Sequence, residues 1–537
     1  MNDTIRSFLT LSFASALCVA HAAPAAAAVT GSVDVTIDGI TIDGDAANPN
    51  GDRFGYSLAA GDVNGDGHRD LVVGATKAET VYVFLGPITE PLDTTKASGV
   101  YHGFTGGEAG WSLAVGDIDG DGRDNILIGE PSALSGAGYV QVLSWPYAPH
   151  QLFFPPVDLG SHPNAITGGF AGPSTWNGRD PAYAGWDIAV GDFDGDGLSD
   201  VLIGACGAQD DDPEEGDPKK RPLGAAYFVS QKDIPYQAAL LLEPGATATV
   251  FGVGGTGCSV AAADFDGDGT DEAILGSPLV SLVDNFNRIQ YVGAAHVVSL
   301  ASTRGAFRLA NYVEGGFRSA PNVAHILGER EGGQLGRGLA GIGDINADGF
   351  DDLLLGEPAF DCVSATGGAC ANPVDDGRGY VVLGGPGLAG VASISAVSTA
   401  VIQGASDARL AHESAGVGDL DGDGADDFLL GSATSQAYLF SGENAPGVTP
   451  TYTCPGGGLC SMSLSGSLSV LSGTIDTSVA TAEIYSPTPT DYLGLQVAGV
   501  GDIDGDGLRD LALGAPRERD YGNTNYGAGF VSIVKGW

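Results

Sequence analysis

The sequence predicts an all-β fold, a seven-bladed β-propeller of which the ring is closed by an N-terminal strand. Three observations predict it. An acidic, glycine-punctuated stretch recurs seven times. Each copy runs into a short apolar segment bounded by glycine. The two ends of the chain carry complementary fragments of one repeat. Repetition at this spacing sets the architecture before any local propensity does.

The last copy, GDIDGDGLRDLALGAP, spans Gly501 to Pro516. The earlier ones read GDVNGDGHRDLVVGA, GDIDGDGRDNILIGEP, GDFDGDGLSDVLIGA, ADFDGDGTDEAILGSP, GDINADGFDDLLLGEP and GDLDGDGADDFLLGSA. Successive first aspartates are 55, 75, 72, 80, 75 and 83 residues apart. Four carboxylates within nine residues repel one another unless a cation sits among them. Oxygen ligands at positions 1, 3, 5 and 9, with a glycine at position 6, suit calcium, which takes about six to eight oxygens in loose geometry. The expected side-chain ligands at position 1 are Asp62, Asp117, Asp192, Asp264, Asp344, Asp419 and Asp502. At position 3 they are Asn64, Asp119, Asp194, Asp266, Asn346, Asp421 and Asp504, and at position 5 Asp66, Asp121, Asp196, Asp268, Asp348, Asp423 and Asp506. Position 7 offers the backbone carbonyl of His68, Arg123, Leu198, Thr270, Phe350, Ala425 or Leu508. Position 9 supplies Asp70, Asn125, Asp200, Glu272, Asp352, Asp427 and Asp510. An EF-hand is excluded, because position 12 is apolar in every copy (Val73 and Leu513, for example) and the flanks read as strands rather than helices. A dockerin-like pair of loops is excluded by the long intervals.

Within a repeat the elements follow in order. Residues 55–62, GYSLAAGD, read as strand A entering the loop, and 71–75, LVVGA, as strand B leaving it. TVYVFLG at 80–86 is strand C, and VYHGFTG at 100–106 is strand D. Repeats five to seven hold one more residue before the first Asp, as in LGRGLAGIGD, and a β-bulge absorbs it. Four strands in each of seven repeats make a propeller. The chain stops just after strand C of the seventh repeat, GAGFVSIVKGW, and starts with an orphan run, VDVTIDGITIDGD at 33–45. That run supplies the missing outer strand of blade seven.

The remaining composition narrows the class. Charged residues make up 17% and glycine numbers 86, which describes a turn-rich β-protein. The net charge of −44 argues against nucleic acid and anionic membranes as partners. The loop side chains account for 25 of the 67 acidic residues. Residues 1–22 read as a secretory signal peptide, with Arg6 ahead of the apolar run FLTLSFASALCVA and cleavage expected between about 22 and 28. The run is too short to span a bilayer, and Leu17 before Cys18 speaks against lipidation. A single propeller over 29–537, secreted to the extracellular space or the periplasm, is the expectation. Of the six later cysteines, the close pairs Cys362–Cys370 and Cys454–Cys460 are expected to bridge locally, leaving Cys206 for Cys258. No CxxC or clustered histidine supports zinc instead.

The turn RFGYSLA, the loop GDVNGDGHRDL and the endings LGAP, IGEP and LGSP resemble the FG-GAP repeats of the integrin α-subunit propeller, over nearly the whole mature chain. The resemblance implies a seven-bladed propeller with calcium between strands A and B. In integrins some blades carry the loop; here all seven do. The literal Phe-Gly pair survives only at Phe54-Gly55, Ala411 replaces the glycine in repeat six, and no segment matches integrin leg domains or a membrane helix.

No GxSxG elbow, HExxH or Walker loop is present, so the chain is not expected to be an enzyme. Up to seven structural calcium ions are the expected cofactors. An extracellular protein or glycan is the expected partner, met as an interaction or adhesion module. A glycan-binding propeller is the second reading, with Trp111, Trp176, Tyr183 and Trp186 available to stack on sugars, and a hydrolase or lyase built on propeller loops is the third. Alternating strand direction puts the A–B and C–D connections on one face. Long loops on the other face make Trp176, Tyr183, Lys219, Lys220 and Arg221 the expected partner contacts, on the face that integrin propellers also use.

Overall fold

The computed structural model describes residues 31–35, 39–45, 51–144, 157–158, 168–173, 181–208, 224–234, 239–283, 289–311, 316–317, 322–358, 376–387, 389–405, 408–443, 449–453, 461–465, 471–488, 492–516 and 528–536. Among them the strands form seven propeller blades. In the first blade strand A is Phe54–Gly61, B is Asp70–Ala75, C is Thr80–Phe84 and D is Gly99–His102. All three contacts are antiparallel, A to B to C to D. Every B strand is fully buried, which explains its unbroken apolar run in place of alternation.

Each blade has five strands rather than the expected four. The fifth comes from the next blade. After strand C of blade two, Tyr139–Leu143, the chain crosses to lay Val157–Asp158 parallel to strand D of blade one. It then returns as its own strand D, Gly168–Ala171. The same path repeats around the ring, as where Ala389–Ser393 of blade five pairs parallel with Val323–Leu327 of blade four. Parallel neighbours need a long crossover, and the long C–D connections provide it. The donated strand covers an outer edge that would otherwise be exposed.

The N-terminal run follows this rule. Ile40–Asp43 is the fourth strand of blade seven, antiparallel to Phe530–Val534. Gly31–Asp34 is a separate strand, parallel to Ala482–Tyr485 of blade six. One outer strand was expected from 33–45; two short ones form, because the run plays the whole part of a C–D connection. Leu92–Asp93 of blade one then covers Ile40–Asp43.

The apolar cores lie between blades. One cluster joins Leu429, Leu439 and Ile484 of blade six to Val497, Leu511 and Leu513 of blade seven. Another joins Ile42 and Ile533 to Phe54, Leu71 and Val73 across the closure. The contact is tightest at the repeat's two signature glycines. A Cβ on Gly74 would lie 2.5 Å from the carbonyl oxygen of Gly110 in the next blade, and one on Gly514 would lie 2.1 Å from that of Gly55. Every blade boundary shows this approach, with Ala411 supplying the carbonyl oxygen that faces Gly356. The closing boundary is built like the other six. The extra residues expected as bulges are Ile342, Val417 and Val500, where the A–B register shifts just before a glycine at positive φ.

Candidate metal centres

Each acidic loop joins the end of strand A to the start of strand B. Its first aspartate shapes it. Asp62 accepts backbone N–H bonds from Gly65 and Asp66 on Oδ1, at 2.7 and 3.1 Å, and from Gly67 on Oδ2, at 2.8 Å. Gly67 at position 6 has φ 87°, and its counterparts are also in the left-handed region. Nothing crowds a Cβ there, so backbone conformation alone demands glycine. The fifth position caps the turn, as Asp66 Oδ1 does by accepting from His68 N–H at 2.9 Å.

The ninth position is buried and ties the loop to strand C. Asp70 accepts from Val63 N–H at 3.0 Å and from Gly86 N–H at 2.9 Å. Asp510 accepts from Ile503 and Gly536 in the same way. Burial, helped by neighbouring loop aspartates, pushes Asp70 up to about 6, Asp427 up to about 7 and Glu272 up to about 8. These carboxyls are held where their ionised form needs a counter-charge, which a divalent cation provides.

Carboxylate oxygens converge accordingly. Within 4.8 Å of one another lie oxygens of Asp117, Asp119 and Asp121; of Asp192, Asp194 and Asp200; of Asp264, Asp266 and Glu272; of Asp419, Asp421 and Asp427; and of Asp502, Asp504 and Asp510. The loops at Asp62 and Asp344 have Asn64 and Asn346 at the third position, each donating to the fifth-position aspartate at 2.9 and 3.1 Å. In the second loop Asn125 turns Oδ1 to Ile118 N–H and Nδ2 toward Asp119, so its ninth position donates where the others accept. Two loops recruit an ammonium: Lys232 Nζ is 2.6 Å from Asp196, and Lys535 Nζ is 2.6 Å from Asp504. Hard oxygen donors in this density fit a divalent cation such as calcium.

The eighth position, outside the expected ligand set, also acts. Asp124 Oδ2 accepts from Asp62 N–H at 2.8 Å, while Asp124 N–H donates to Asp62 carbonyl at 3.0 Å. Asp271, Asp351 and Asp426 bind Asp192, Asp264 and Asp344 in the same way. Each pair stitches the loops of adjacent blades. The signal was legible as an acid at position 8 in four of seven copies. Arg69, Ser199 and Arg509 replace it in the others.

Of the expected partner contacts, Tyr183 lies on the D–A turn of blade three, with φ 55° and its ring 5.9 Å from Trp186. Trp176, Lys219, Lys220 and Arg221 lie outside the described residues. Cys206 and Cys258 form the expected disulfide. Cys362, Cys370, Cys454 and Cys460 also lie outside the described residues. Among the described residues no helix is long and apolar enough to cross a membrane.

The family described as "FG-GAP repeat" matches residues 54–84, 109–143, 184–214 and 494–534, four of the seven repeats. Integrin alpha-5 of Xenopus laevis is 25% identical over 179 residues, covering 33% of this chain and 14% of that protein. Integrin alpha-PS2 of Drosophila melanogaster is 25% identical over 278 residues, 48% of this chain and 17% of its own length. Phosphatidylinositol-glycan-specific phospholipase D of Rattus norvegicus is 28% identical over 342 residues, 58% of this chain and 36% of the enzyme. The chain therefore spans between 14% and 36% of the length of these relatives. With its signature glycines packed blade against blade and its acidic loops between strands A and B, the chain carries FG-GAP repeats in a seven-bladed β-propeller.

Proposed function

We propose that the chain is a secreted calcium-binding propeller that acts as an extracellular interaction or adhesion module, with calcium structural in the A–B loop of each blade. The observation that carries the reading is the convergence of carboxylate oxygens in five of the seven repeated loops, at positions 1, 3 and 9 in four of them and at 1, 3 and 5 in the loop of Asp117. The ions hold loops together and the loops hold blades, so the metal face is committed to structure. The partner meets the opposite face, at the long loops that carry Trp176, Tyr183, Lys219, Lys220 and Arg221. The segment 1–22 directs export.

The similarity to a phospholipase D brings one assay rather than an assignment, since it covers 36% of that enzyme. The test is affinity capture from the producing organism's surface and medium, on immobilised chain with calcium or with chelator. Calcium-dependent enrichment of one protein or glycan supports the reading. Hydrolysis of a phosphatidylinositol-glycan substrate by the purified chain, with no partner retained, overturns it.

A further inference from the structure

At the other end of the A strands a cavity of about 700 Å³ opens at the ring centre. Six residues of extended strand separate Tyr56 from Asp62, so the cavity lies ~20 Å from the acidic loops. Two positions of every repeat line it: the residue after the signature glycine and the one following. The glycine barely varies among the repeats, whereas the residue after it differs strongly. Blades one to three present Tyr56, Trp111 and Trp186; blade four presents Cys258, closed by its disulfide; blades five and six present Arg337 and His412. The cavity is thus aromatic on one side and polar on the other.

The aromatic side is a continuous arc. Tyr56 and Trp111 have ring centroids 5.2 Å apart, and Trp111 and Trp186 4.8 Å, with tilts of 48° and 54°. All three stay half-buried and belong to no core cluster. Packing alone would explain them as a plug for the channel. A plug, however, leaves no such volume empty and does not face a guanidinium wall. Arg337 and Arg409 are exposed and line the opposite side.

Glu413 completes that wall. Its side chain sits deep in the ring, yet keeps 38% of its surface accessible because it faces the cavity, 3.8 Å from His412 Nδ1. Burial pushes Glu413 up to about 8 and His412 down to about 4. Both shifts favour the neutral forms, which offer hydrogen bonds without charge. In three other blades the equivalent position is a serine that bonds the next blade's carbonyl, as Ser57 does to Gly110 at 2.6 Å. Asp187 instead accepts from Val260 N–H of the next blade at 2.8 Å. Neither structural use accounts for Glu413.

We propose that this cavity binds an acidic sugar residue, its pyranose face on Trp111 and Trp186 and its carboxylate on Arg337. Aromatic rings present large apolar faces that suit the C–H face of a pyranose. A planar guanidinium pairs a carboxylate through two parallel hydrogen bonds, which a neutral sugar cannot use. Glu413 and His412 then meet hydroxyls. The volume is within the range of about 300–1,000 Å³ usual for small-ligand sites. In a chain of net charge −44, the guanidiniums on the cavity wall are what makes an anionic ligand acceptable, since burial favours the neutral forms of Asp187 and Glu413 beside them. The site goes beyond the interaction reading above and stands on the cavity alone.

The test is calorimetry and tryptophan fluorescence of the full chain with trigalacturonate, and with maltotriose as neutral control, at fixed free calcium. Trigalacturonate is expected to bind at one site per chain and to change the fluorescence, with maltotriose at least about tenfold weaker. Arg337→Gln, on an exposed side chain, is expected to lose about tenfold in affinity for trigalacturonate with no change in melting temperature. Trp186→Ala is expected to weaken both sugars. No binding up to millimolar trigalacturonate overturns the proposal, as does equal binding of maltotriose or unchanged affinity in Arg337→Gln. Calcium-dependent partner capture is read separately, so its failure and this one are distinguishable.

Discussion

Asp351 shows how much one side chain can do outside the expected ligand set. Its Oδ2 takes Asp264 N–H at 3.1 Å, and its own N–H returns to the Asp264 carbonyl. Asp351→Ala leaves a partly buried N–H without its acceptor, at a cost of about 1–3 kcal/mol. A lowered urea midpoint at unchanged slope is the expected result; Ser199→Ala, at the same position without the stitch, should change little. Glu130 is a second case. It is fully buried and accepts from Phe104 N–H at 2.7 Å. Burial raises it from 4.5 to about 7. The folded chain then keeps a proton that the unfolded chain releases, so this group's contribution to stability falls as pH rises from about 4.5 to 7 and stays lost above. Glu130→Gln keeps an acceptor for Phe104 and removes the slope. It should gain stability relative to the parent at pH 8 and none at pH 4, read from urea unfolding at both; an equal effect at both pH values contradicts the account. At this scale the aspartates of which the oxygens converge were legible, because their spacing is local. The eighth-position aspartates act between blades, and spacing within one loop does not reveal a partner 62 or 87 residues away.

The element scale is governed by glycine contacts and strand exchange. At the closure a Cβ on Gly514 would strike the Gly55 carbonyl, which is backbone and cannot swing aside. Gly514→Ala should therefore separate blades seven and one, lowering stability by roughly 1–3 kcal/mol as overpacking does. Calorimetry reads this as a lower melting temperature; an unchanged one means the closure is not packed this way. Amide exchange tests the N-terminal run. Protection is expected at Ile40–Asp43 and at Gly31–Asp34, the first through blade seven and the second through blade six. Rapid exchange at both segments rejects the closure. The four inner strands and the bulges of repeats five to seven were readable from turn signals and a one-residue length difference. The fifth strand was not, because it is short, from the two residues of Val157–Asp158 and Leu92–Asp93 to the five of Ala389–Ser393, and its pairing partner lies in the neighbouring blade. Only the path of the chain between neighbouring blades makes them strands.

For the whole molecule the governing quantity is charge. The chain carries −44, with its densest acid in seven loops that sit at the ends of the innermost strands. Folding gathers these carboxylates, and burial raises the ninth-position acids, so the metal-free ring works against its own electrostatics. A bound divalent ion reverses that and stabilises the native state by mass action, about 2.7 kcal/mol for a site at a hundredfold excess over its dissociation constant. Stitched neighbours such as Asp264 and Asp351 tie each loop to the next blade, so a bound ion is expected to steady both. The cavity at the opposite face was legible only in part: the tryptophans stand out in the sequence, but their convergence with Arg337 and Glu413 requires the ring. The central claim, that calcium in the A–B loops holds the propeller together, is tested most directly by thermal unfolding of the full chain in excess chelator, in calcium and in magnesium. Chelation is expected to lower the melting temperature, calcium to restore it and magnesium to restore it less, because magnesium resists an all-protein oxygen cage. A melting curve that is the same in all three conditions contradicts the claim.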